Sequence, residues 1–320
     1  MKNLLVISII LFSFRSLFGQ ADFEAKDRDR ISKNNVKIQT QWAYDYEKGV
    51  PSTKGYISAK TTFDKNGNAI EVVNYKADGT ISSVLTYTYD SNNNKTSYSR
   101  FRGNKDQLTY NQKLIYDTHG NKVGETGFDG VSNFNNTFTY DAAGNLSTIV
   151  YTTDKMVTEK RVFTYKGTTT EMKILNANND IISREITTHD NKNNKLEEMK
   201  YIQENLTQKS NYQYNPQGKK VEETKENFGK LVYHRIYKYD NMDNLLQIIE
   251  ENSDGKSFVS YQYQYDTKGN PLSERWTKDS SSEYSSKIHK YLPNDLLSES
   301  DCYLASYKFS VLYKYTYQYF

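Results

Sequence analysis

The sequence predicts an all-β fold, in which about ten hairpin repeats form a curved or rolled antiparallel sheet, either an open shell or barrel-like. Three observations support this prediction. A phrase of aromatic, polar, aromatic and Asp recurs at intervals of 24 to 27 residues between Asp64 and Leu292. The chain is tyrosine-rich, with 29 Tyr against 5 Met and 4 Pro, and Tyr favours a half-buried pleated surface. A cluster of Gly, Asn or Asp arrives about every dozen residues, which leaves no window for an amphipathic helix of ordinary length.

Residues 1–19 are predicted to be a secretory signal peptide. Lys2 supplies the positive start, Leu4 to Phe14 is apolar, and small residues precede a cut near Gly19. An uncleaved membrane anchor is the alternative, although the apolar run has about half of the ~20 residues that a bilayer span requires. We therefore expect an exported protein without a membrane span after cleavage, located in the periplasm, at the cell surface or outside the cell.

The charge of the remaining chain limits its partners. Without residues 1–19 the chain has 40 basic and 39 acidic residues, and these are interspersed. This balance argues against nucleic acid or an anionic membrane as the main partner. Cys302 is the single cysteine, which excludes an internal disulfide and favours a small buried residue.

The domain organisation follows from the same pattern. Residues 20–40 are charged and show no periodicity, so they are predicted to be a linker. Residues 41–320 are predicted to be the repeat domain.

Each repeat is expected to begin with a strand and a first turn. Tyr87 and Tyr89 alternate with Thr86 and Thr88, which is the period-2 pattern of a strand. The following Asp accepts hydrogen bonds from the turn backbone, and a Gly three residues later takes the positive φ that closes the loop. The residues assigned to these turns are Asp64, Gly67, Asp90, Asp117, Gly120, Asp141, Gly144, Asp190, Gly218, Asp240, Asp266 and Gly269.

A second strand and a second turn complete the repeat. Leu146 to Tyr151 is an example of the strand, and pairs such as Asp129-Gly130 are strong hairpin signals for the turn. Copies that lack Gly-Asn, around Lys166 and Leu292, are expected to mark a change of turn or curvature. We expect the aromatic pairs of successive repeats to lie above one another as two columns on one face, since a single hairpin is not stable alone.

At these residues the chain resembles the YD repeat of the RHS and teneurin-type proteins, whose unit is close to Tyr-Asp-x-x-Gly-Asn with a later Asp-Gly. The best matches are Asp117 to Asn121, Asp141 to Asn145 and Asp266 to Asn270, and the resemblance covers about residues 42–320. It implies a β-sheet that winds into a shell or barrel in secreted or surface proteins that bind carbohydrates or partners, or enclose a toxin. The chain has too few repeats for a large cocoon and is expected to be a short form without an effector domain.

No set of residues has the spacing of a catalytic or metal site. The histidines lie in different repeats, at His119, His189, His234 and His289. Asp90 to Asn94 imitates the start of a calcium loop, but Lys95 replaces the required Gly and Phe101 the bidentate Glu. Weak calcium binding by several turns remains an alternative. The prediction is that no metal or cofactor is bound and that the protein is not an enzyme.

The expected function is that of a non-catalytic binding or scaffold module for carbohydrate or a cell-surface protein. Tyr offers a flat apolar ring with a hydroxyl, which suits stacking on sugars or protein surfaces. Candidate binding residues are the tyrosines outside the two columns, although these side chains could instead cover the opposite face of the sheet. They are Tyr56, Tyr75, Tyr98, Tyr151, Tyr201 and Tyr284.

Two alternative functions remain open. One is an accessory or shortened shell component of an RHS-type toxin delivery system. The other is a polysaccharide hydrolase, in which two Asp carboxylates about 5 to 9.5 Å apart act as a catalytic pair.

Overall fold

The computed structural model describes residues 26–280 and 282–320. The predicted signal peptide lies outside these residues. The described chain consists of strands and turns, with a helix over residues 26–33 and a 3-10 helix at Ala305–Tyr307. The prediction of an all-β fold built from antiparallel hairpins is therefore confirmed. Two compact units are present, one made of residues up to Lys113 with His289–Cys302 and Ser310–Phe320, the other of Leu114–Ile288 with Tyr303–Phe309.

The first unit is an antiparallel ladder in which β3 to β7 pair in chain order. Its strands are β1 (Val36–Glu47), β2 (Val50–Pro51), β3 (Tyr56–Phe63), β4 (Ala69–Tyr75), β5 (Ile81–Tyr89), β6 (Lys95–Arg102), the greater part of β7 (Gln107–Tyr116), and most of β22 (Leu297–Leu304) and β23 (Phe309–Tyr319).

The second unit continues the same pattern, and from β8 to β21 each strand pairs antiparallel with the next. Its strands are β8 (Lys122–Phe128), β9 (Asn133–Tyr140), β10 (Leu146–Thr153), β11 (Met156–Lys166), β12 (Thr169–Asn176), β13 (Ile181–His189), β14 (Lys195–Ile202), β15 (Asn205–Tyr214), β16 (Lys220–Asn227), β17 (Lys230–Tyr239), β18 (Leu245–Asn252), β19 (Ser257–Tyr265), β20 (Pro271–Trp276) and most of β21 (Ser285–Tyr291).

Strand β1 pairs with β3 on one side and with β23 on the other. The first and last strands of the chain therefore cover each other's edges, which removes backbone donors and acceptors that an open sheet exposes. Ala43, Cys302 and Val311 form a buried cluster beside this junction, with Tyr56 and Tyr313 packed against it. Cys302 is 4% exposed, as expected for a small buried residue.

The segment expected to be a linker differs from that prediction over residues 26–40. Residues 26–33 are helical, and β1 already begins at Val36. Ile31 from the helix packs with Val36 and Leu296 in a buried cluster. Ser32 Oγ also donates to the carbonyl of Lys65 at 2.9 Å, which holds the helix to a first turn. Because a single apolar side chain anchors this helix, the segment has no hydrophobic periodicity from which the helix could be predicted.

The first turn of most repeats is organised by an Asp carboxylate. In the Asp141 turn, Oδ1 accepts from the backbone N–H groups of Ala143 at 2.9 Å and Asn145 at 2.8 Å, and Oδ2 accepts from Asn145 Nδ2 at 3.1 Å. The same three bonds recur at Asp64, Asp90, Asp117, Asp190, Asp240 and Asp266. One Asp–Asn pair thus satisfies the donors of a five-residue loop.

The two turns at which a change was expected, at Lys166 and Leu292, behave differently from each other. At Lys166 the loop is shorter, because β11 ends at that residue and β12 begins at Thr169. At Leu292 the five-residue geometry is kept: Leu292 N donates to Leu296 O at 2.8 Å, and Asp295 N donates to Leu292 O at 2.9 Å. The expected change of turn therefore occurs at the first place only.

In several repeats, the tyrosine at the end of the first strand joins its repeat to the previous one. Tyr140 Oη donates to the carbonyl of Lys122 at 2.9 Å, and Tyr239 Oη donates to the carbonyl of Lys220 at 2.8 Å. Each accepting residue follows a first turn directly, next to a shift of strand register. Equivalent bonds are made by Tyr89, Tyr165, Tyr265 and Tyr317.

The expected aromatic columns are not continuous. Each repeat has two strands, so aromatic pairs of successive repeats lie two strand spacings apart, about 9.6 Å. Ring contacts need about 4.5 to 7 Å. The residue between them comes from the second strand: Glu223 lies opposite Tyr212, and Glu274 lies opposite Tyr263. We call the side that carries the aromatic pairs the aromatic face, and the other side the opposite face.

Candidate functional site

A buried carboxylate is at the centre of the aromatic face of β15 to β18. Glu223 is 8% exposed, and its two oxygens accept from the hydroxyls of Tyr233 and Tyr237, both at 2.7 Å. Lys220 Nζ lies 2.5 Å from Glu223 Oε2. Beside this group, Arg235 Nε contacts Glu250 Oε2 at 2.6 Å. Every charge in the cluster therefore has a partner of opposite sign.

The pKa values of this cluster follow from its burial and charges. Burial raises the pKa of Glu223, but Lys220 and the two tyrosine hydroxyls outweigh that effect and leave the pKa below its ordinary value. Burial, reinforced by the Glu223 charge, raises the pKa of Tyr233 and Tyr237. At neutral pH the cluster thus holds a carboxylate and neutral phenols. A hydrogen-bonded network of this kind stabilises the folded sheet.

A repeated Lys-x-x-Glu pattern connects this cluster with the rest of the unit. The pairs are Lys122–Glu125 at 3.0 Å, Lys195–Glu198, and Lys220–Glu223. Each lysine lies over an aromatic ring of the next repeat, those of Phe138, Tyr212 and Tyr237 respectively. Sequence reasoning missed this pattern, although Lys and Glu recur at fixed positions after the first turn. Because these ion pairs and ring contacts occupy the side chains of the aromatic face, we interpret that face as a packing surface.

The opposite face carries a row of polar side chains across β17 to β21. The strand registers place Lys238 opposite Gln247, Gln247 opposite Gln262, Gln262 opposite Arg275, and Arg275 opposite Ser286. We call these five residues the polar row. Four strand spacings give the row a length of about 19 Å.

A groove lies at the β19 to β21 end of this row. Its volume is about 360 Å³, and it is lined by Gln262, Gln264, Ser273, Arg275, Ser286, Lys287 and Ile288. Ser273 Oγ donates to Gln264 Oε1 at 3.0 Å, which orients that amide. Adjacent strands hold the lining side chains, so the site rests on rigid elements rather than on loops.

Tyr284 supports the arginine of the groove. Its hydroxyl donates to the carbonyl of Val259 at 2.7 Å, which fixes the ring. The guanidinium carbon of Arg275 lies 4.8 Å from the centre of that ring. Among the described residues, Arg275 and Lys238 have no carboxylate within ion-pair distance, and both side chains are exposed.

The six candidate tyrosines do not form one platform. Within each unit they lie on different strands or turns. Tyr98 lies on the aromatic face, where its ring stacks on Tyr87 at 5.2 Å. Arginines cover Tyr151, Tyr201 and Tyr284, while Tyr56 packs on the Cys302 cluster and Tyr75 is half-buried at the end of β4. Of these six, Tyr284 contacts a residue that lines the groove, Arg275.

The turn carboxylates are occupied by their own loops. Hydrogen bonds from Asn145 hold the pKa of Asp141 below its ordinary value, and bonds from Asn121 do the same for Asp117. Over residues 26–280 and 282–320 no group of three or more His, Cys, Asp or Glu side chains is arranged to hold a metal ion. In the same part of the chain, no helix has the length and apolar character needed to cross a membrane.

Apolar side chains are exposed at the second-turn ends of the strands in the second unit. Val131 is 88% exposed, Phe228 75% and Met156 70%. Ile181, Ile202 and Leu206 are also exposed at this edge. An exposed apolar patch of this kind is a common feature of protein interaction sites.

No protein-family model matches the chain, and no curated protein sequence matches it. Among solved structures, it is similar to the TcdB2-TccC3-TEV structure, with a TM-score of 0.34 and 12% identity over 82% of this chain. The chain spans 16% of that protein, and 20% of the TcdB2-TccC3 chain in a second structure, where the TM-score is 0.35 and the identity 11% over 88% of this chain. A porin-like protein from Bacteroides uniformis matches 88% of this chain and 98% of its own, with 10% identity and a TM-score of 0.30.

Proposed function

We propose that the protein is an exported, non-catalytic binding module that holds a carbohydrate in the groove of β19 to β21. The groove itself carries this proposal. Its volume of about 360 Å³ lies in the range of small-ligand sites, roughly 300 to 1,000 Å³. Residues with amide, hydroxyl, guanidinium and ammonium groups line it, and the lining contains no carboxylate.

The chemistry of the lining fits sugar hydroxyls. A hydroxyl both donates and accepts, and the amides of Gln262 and Gln264 offer both functions side by side. Ser273 and Ser286 add two more such groups, and the apolar side chain of Ile288, 54% exposed, forms one wall. A ligand with alternating hydroxyls and C–H faces matches this combination.

A non-catalytic role is supported by the state of the carboxylates. Glycoside hydrolysis needs two carboxyl groups free to exchange protons with a substrate. The turn Asp side chains accept bonds from their own loops, and Glu223 is buried among three partners. Export is supported by the signal-like residues 1–19.

The test is glycan-array binding by the protein purified without residues 1–19, comparing wild type with Gln264→Ala. We expect saturable binding to one glycan class, weakened about 3- to 10-fold by the variant, since a lost hydrogen bond contributes about 0.5 to 1.5 kcal/mol. Gln213→Ala is the matched control, because Gln213 occupies the same exposed position between two tyrosines in another repeat. Equal weakening by both variants, or no binding to any glycan, would contradict the proposal.

A second candidate function is a scaffold for a protein partner, such as an accessory or shortened shell component of a toxin delivery system. The exposed apolar edge that includes Phe228 and Met156 favours it. The expected partner presents an apolar surface, so Phe228→Ser should abolish its capture from the cell envelope. If Phe228→Ser captured the same partner as the wild type, this edge would be excluded as the binding surface.

A further inference from the structure

We infer that the polar row selects an anionic, carboxylated linear polysaccharide, which lies across β17 to β21 with its carboxylates at Arg275 and Lys238. This inference rests on the proposed carbohydrate function and specifies its ligand. The row begins with a cation at Lys238, continues through two amides, and reaches a second cation at Arg275. Three strand spacings, about 14 Å, separate the two cationic positions.

Several cations of the second unit are neutralised by a carboxylate, whereas the two cations of the row are not. Lys209 pairs with Glu197 at 2.7 Å, and Arg161 pairs with Glu159 at 2.7 Å. Arg235 and Lys220 are also paired, as described above. Lys238 and Arg275 have no such partner among the described residues. An exposed cation that is already neutralised gains little from a ligand, whereas these two keep their full attraction for an anion.

The carboxylates on the strands of the row either pair with other side chains or lie on the aromatic face. On the opposite face, Glu222 and Glu251 lie on either side of His234, at 2.9 and 3.9 Å. Glu251 is four residues along β18 from Gln247, about 13 Å away along the strand. Glu250 and Glu274 belong to the aromatic face. The row itself therefore carries two positive charges and no negative charge, although the chain as a whole is nearly neutral.

The geometry of Arg275 suits a carboxylate in particular. A guanidinium presents parallel N–H donors that match the two oxygens of a carboxylate. The Tyr284 ring lies beneath this group and is itself held by Val259, so the side chain is supported before a ligand arrives. The amides of Gln247 and Gln262 then lie where the hydroxyls between successive acidic sugars would be.

The experiment compares polygalacturonate with the same polymer after reduction of its carboxyl groups. The protein lacking residues 1–19 is titrated with each polymer at low and high salt. We expect at least about tenfold tighter binding of the acidic polymer at low salt, with a preference that shrinks as salt rises. Arg275→Gln and Lys238→Gln should each reduce the preference about threefold or more, because each variant loses more affinity for the acidic polymer than for the reduced polymer. Lys113→Gln removes an exposed charge from the first unit and should have no effect.

Each other outcome has a defined meaning. Equal affinity for both polymers, or an unchanged preference in Arg275→Gln, overturns the anionic selection and leaves the carbohydrate function standing. If the protein binds neither polymer but binds a different glycan on the array, the anionic selection is likewise overturned and the carbohydrate function stands. Displacement of polygalacturonate by oligothymidylate at equal charge concentration also overturns it, because the row would then be a general anion surface. Failure to bind any glycan overturns the proposed function as well.

Discussion

The carboxylate of Glu223 lies inside the sheet packing with two phenol hydroxyls and one ammonium as partners. At the scale of single residues, this cluster shows how a polar sequence can build a core. Removing a charge from water is costly, and only complete pairing offsets the cost. The Lys220 ammonium has two such partners. It forms an ion pair with Glu223, and it lies 4.6 Å from the centre of the Tyr237 ring.

Glu223→Ala is expected to lower the free energy of unfolding by about 3 kcal/mol, because it leaves Lys220 and two hydroxyls buried without their acceptor. Denaturant titration at neutral pH measures this. Glu222→Ala is the control, since Glu222 belongs to a half-exposed pair with His234 and should cost less than about 1 kcal/mol. Equal losses of unfolding free energy in Glu223→Ala and Glu222→Ala would contradict the view that Glu223 is a buried carboxylate on which its partners depend.

The same residue predicts a dependence on pH. The folded-state pKa of Glu223 lies below the ordinary value of 4.5, so its contribution is present above pH 4.5 and is lost as the pH falls through the lowered value. The stability difference between wild type and Glu223→Ala should therefore shrink in acid. A difference that stays constant down to the acid transition would speak against a charged Glu223.

At the scale of elements, the first turn is the unit that sets the repeat. Its fourth position has a positive φ, +83° at Gly144 and +82° at Gly67. Where Gly is absent, Asn93 and Asn193 take the same conformation, at +62° and +64°. Asn is among the few other residues that adopt it at low cost.

Two glycines of this turn are predicted to differ in tolerance. A Cβ on Gly144 has no atom within 4 Å, whereas a Cβ on Gly67 would clash with the backbone carbonyl of Arg28 in the helix over residues 26–33. Gly144→Asn should cost less than about 1 kcal/mol of unfolding free energy, and Gly67→Asn about 2 kcal/mol more. Thermal unfolding of the two variants measures this. Equal costs would show that the helix does not press on the turn.

At the scale of the whole molecule, half-buried tyrosines occur in both units. Burial, as the leading cause, raises the pKa of several of them from 10.0 to about 12. These are Tyr46, Tyr212, Tyr239, Tyr313 and Tyr317. Their phenols are neutral in the folded state at pH values where the unfolded chain already ionises.

The protein is therefore expected to lose stability in alkali. The tyrosine contribution is complete below pH 10 and is lost as the pH rises through about 12. Tyrosinate absorbance should rise together with the loss of strand signal in circular dichroism. The protein in denaturant is the control and should titrate near pH 10. A gradual titration near pH 10 with the strands intact would contradict this expectation.

The polar site illustrates the limit of sequence reasoning. Tyr284 was a candidate from its residue type, but Lys238, Gln247, Gln262 and Arg275 are separated by 9 to 15 residues along the chain. Only the strand registers bring them into one row. The bulges near the turns decide these registers, and a shift of one residue would send each side chain to the other face.

Local chemistry in the sequence determined the strands, the turns and their period. Alternation specifies a strand and Asp-x-x-Gly specifies a turn, because both depend on neighbours in the chain. The tertiary structure alone decided that β1 meets β23, that a helix anchored by one apolar side chain lies over residues 26–33, and that aromatic columns are interrupted by a second strand. These features depend on pairings between distant residues, whose free energy comes from burial and register rather than from any local pattern.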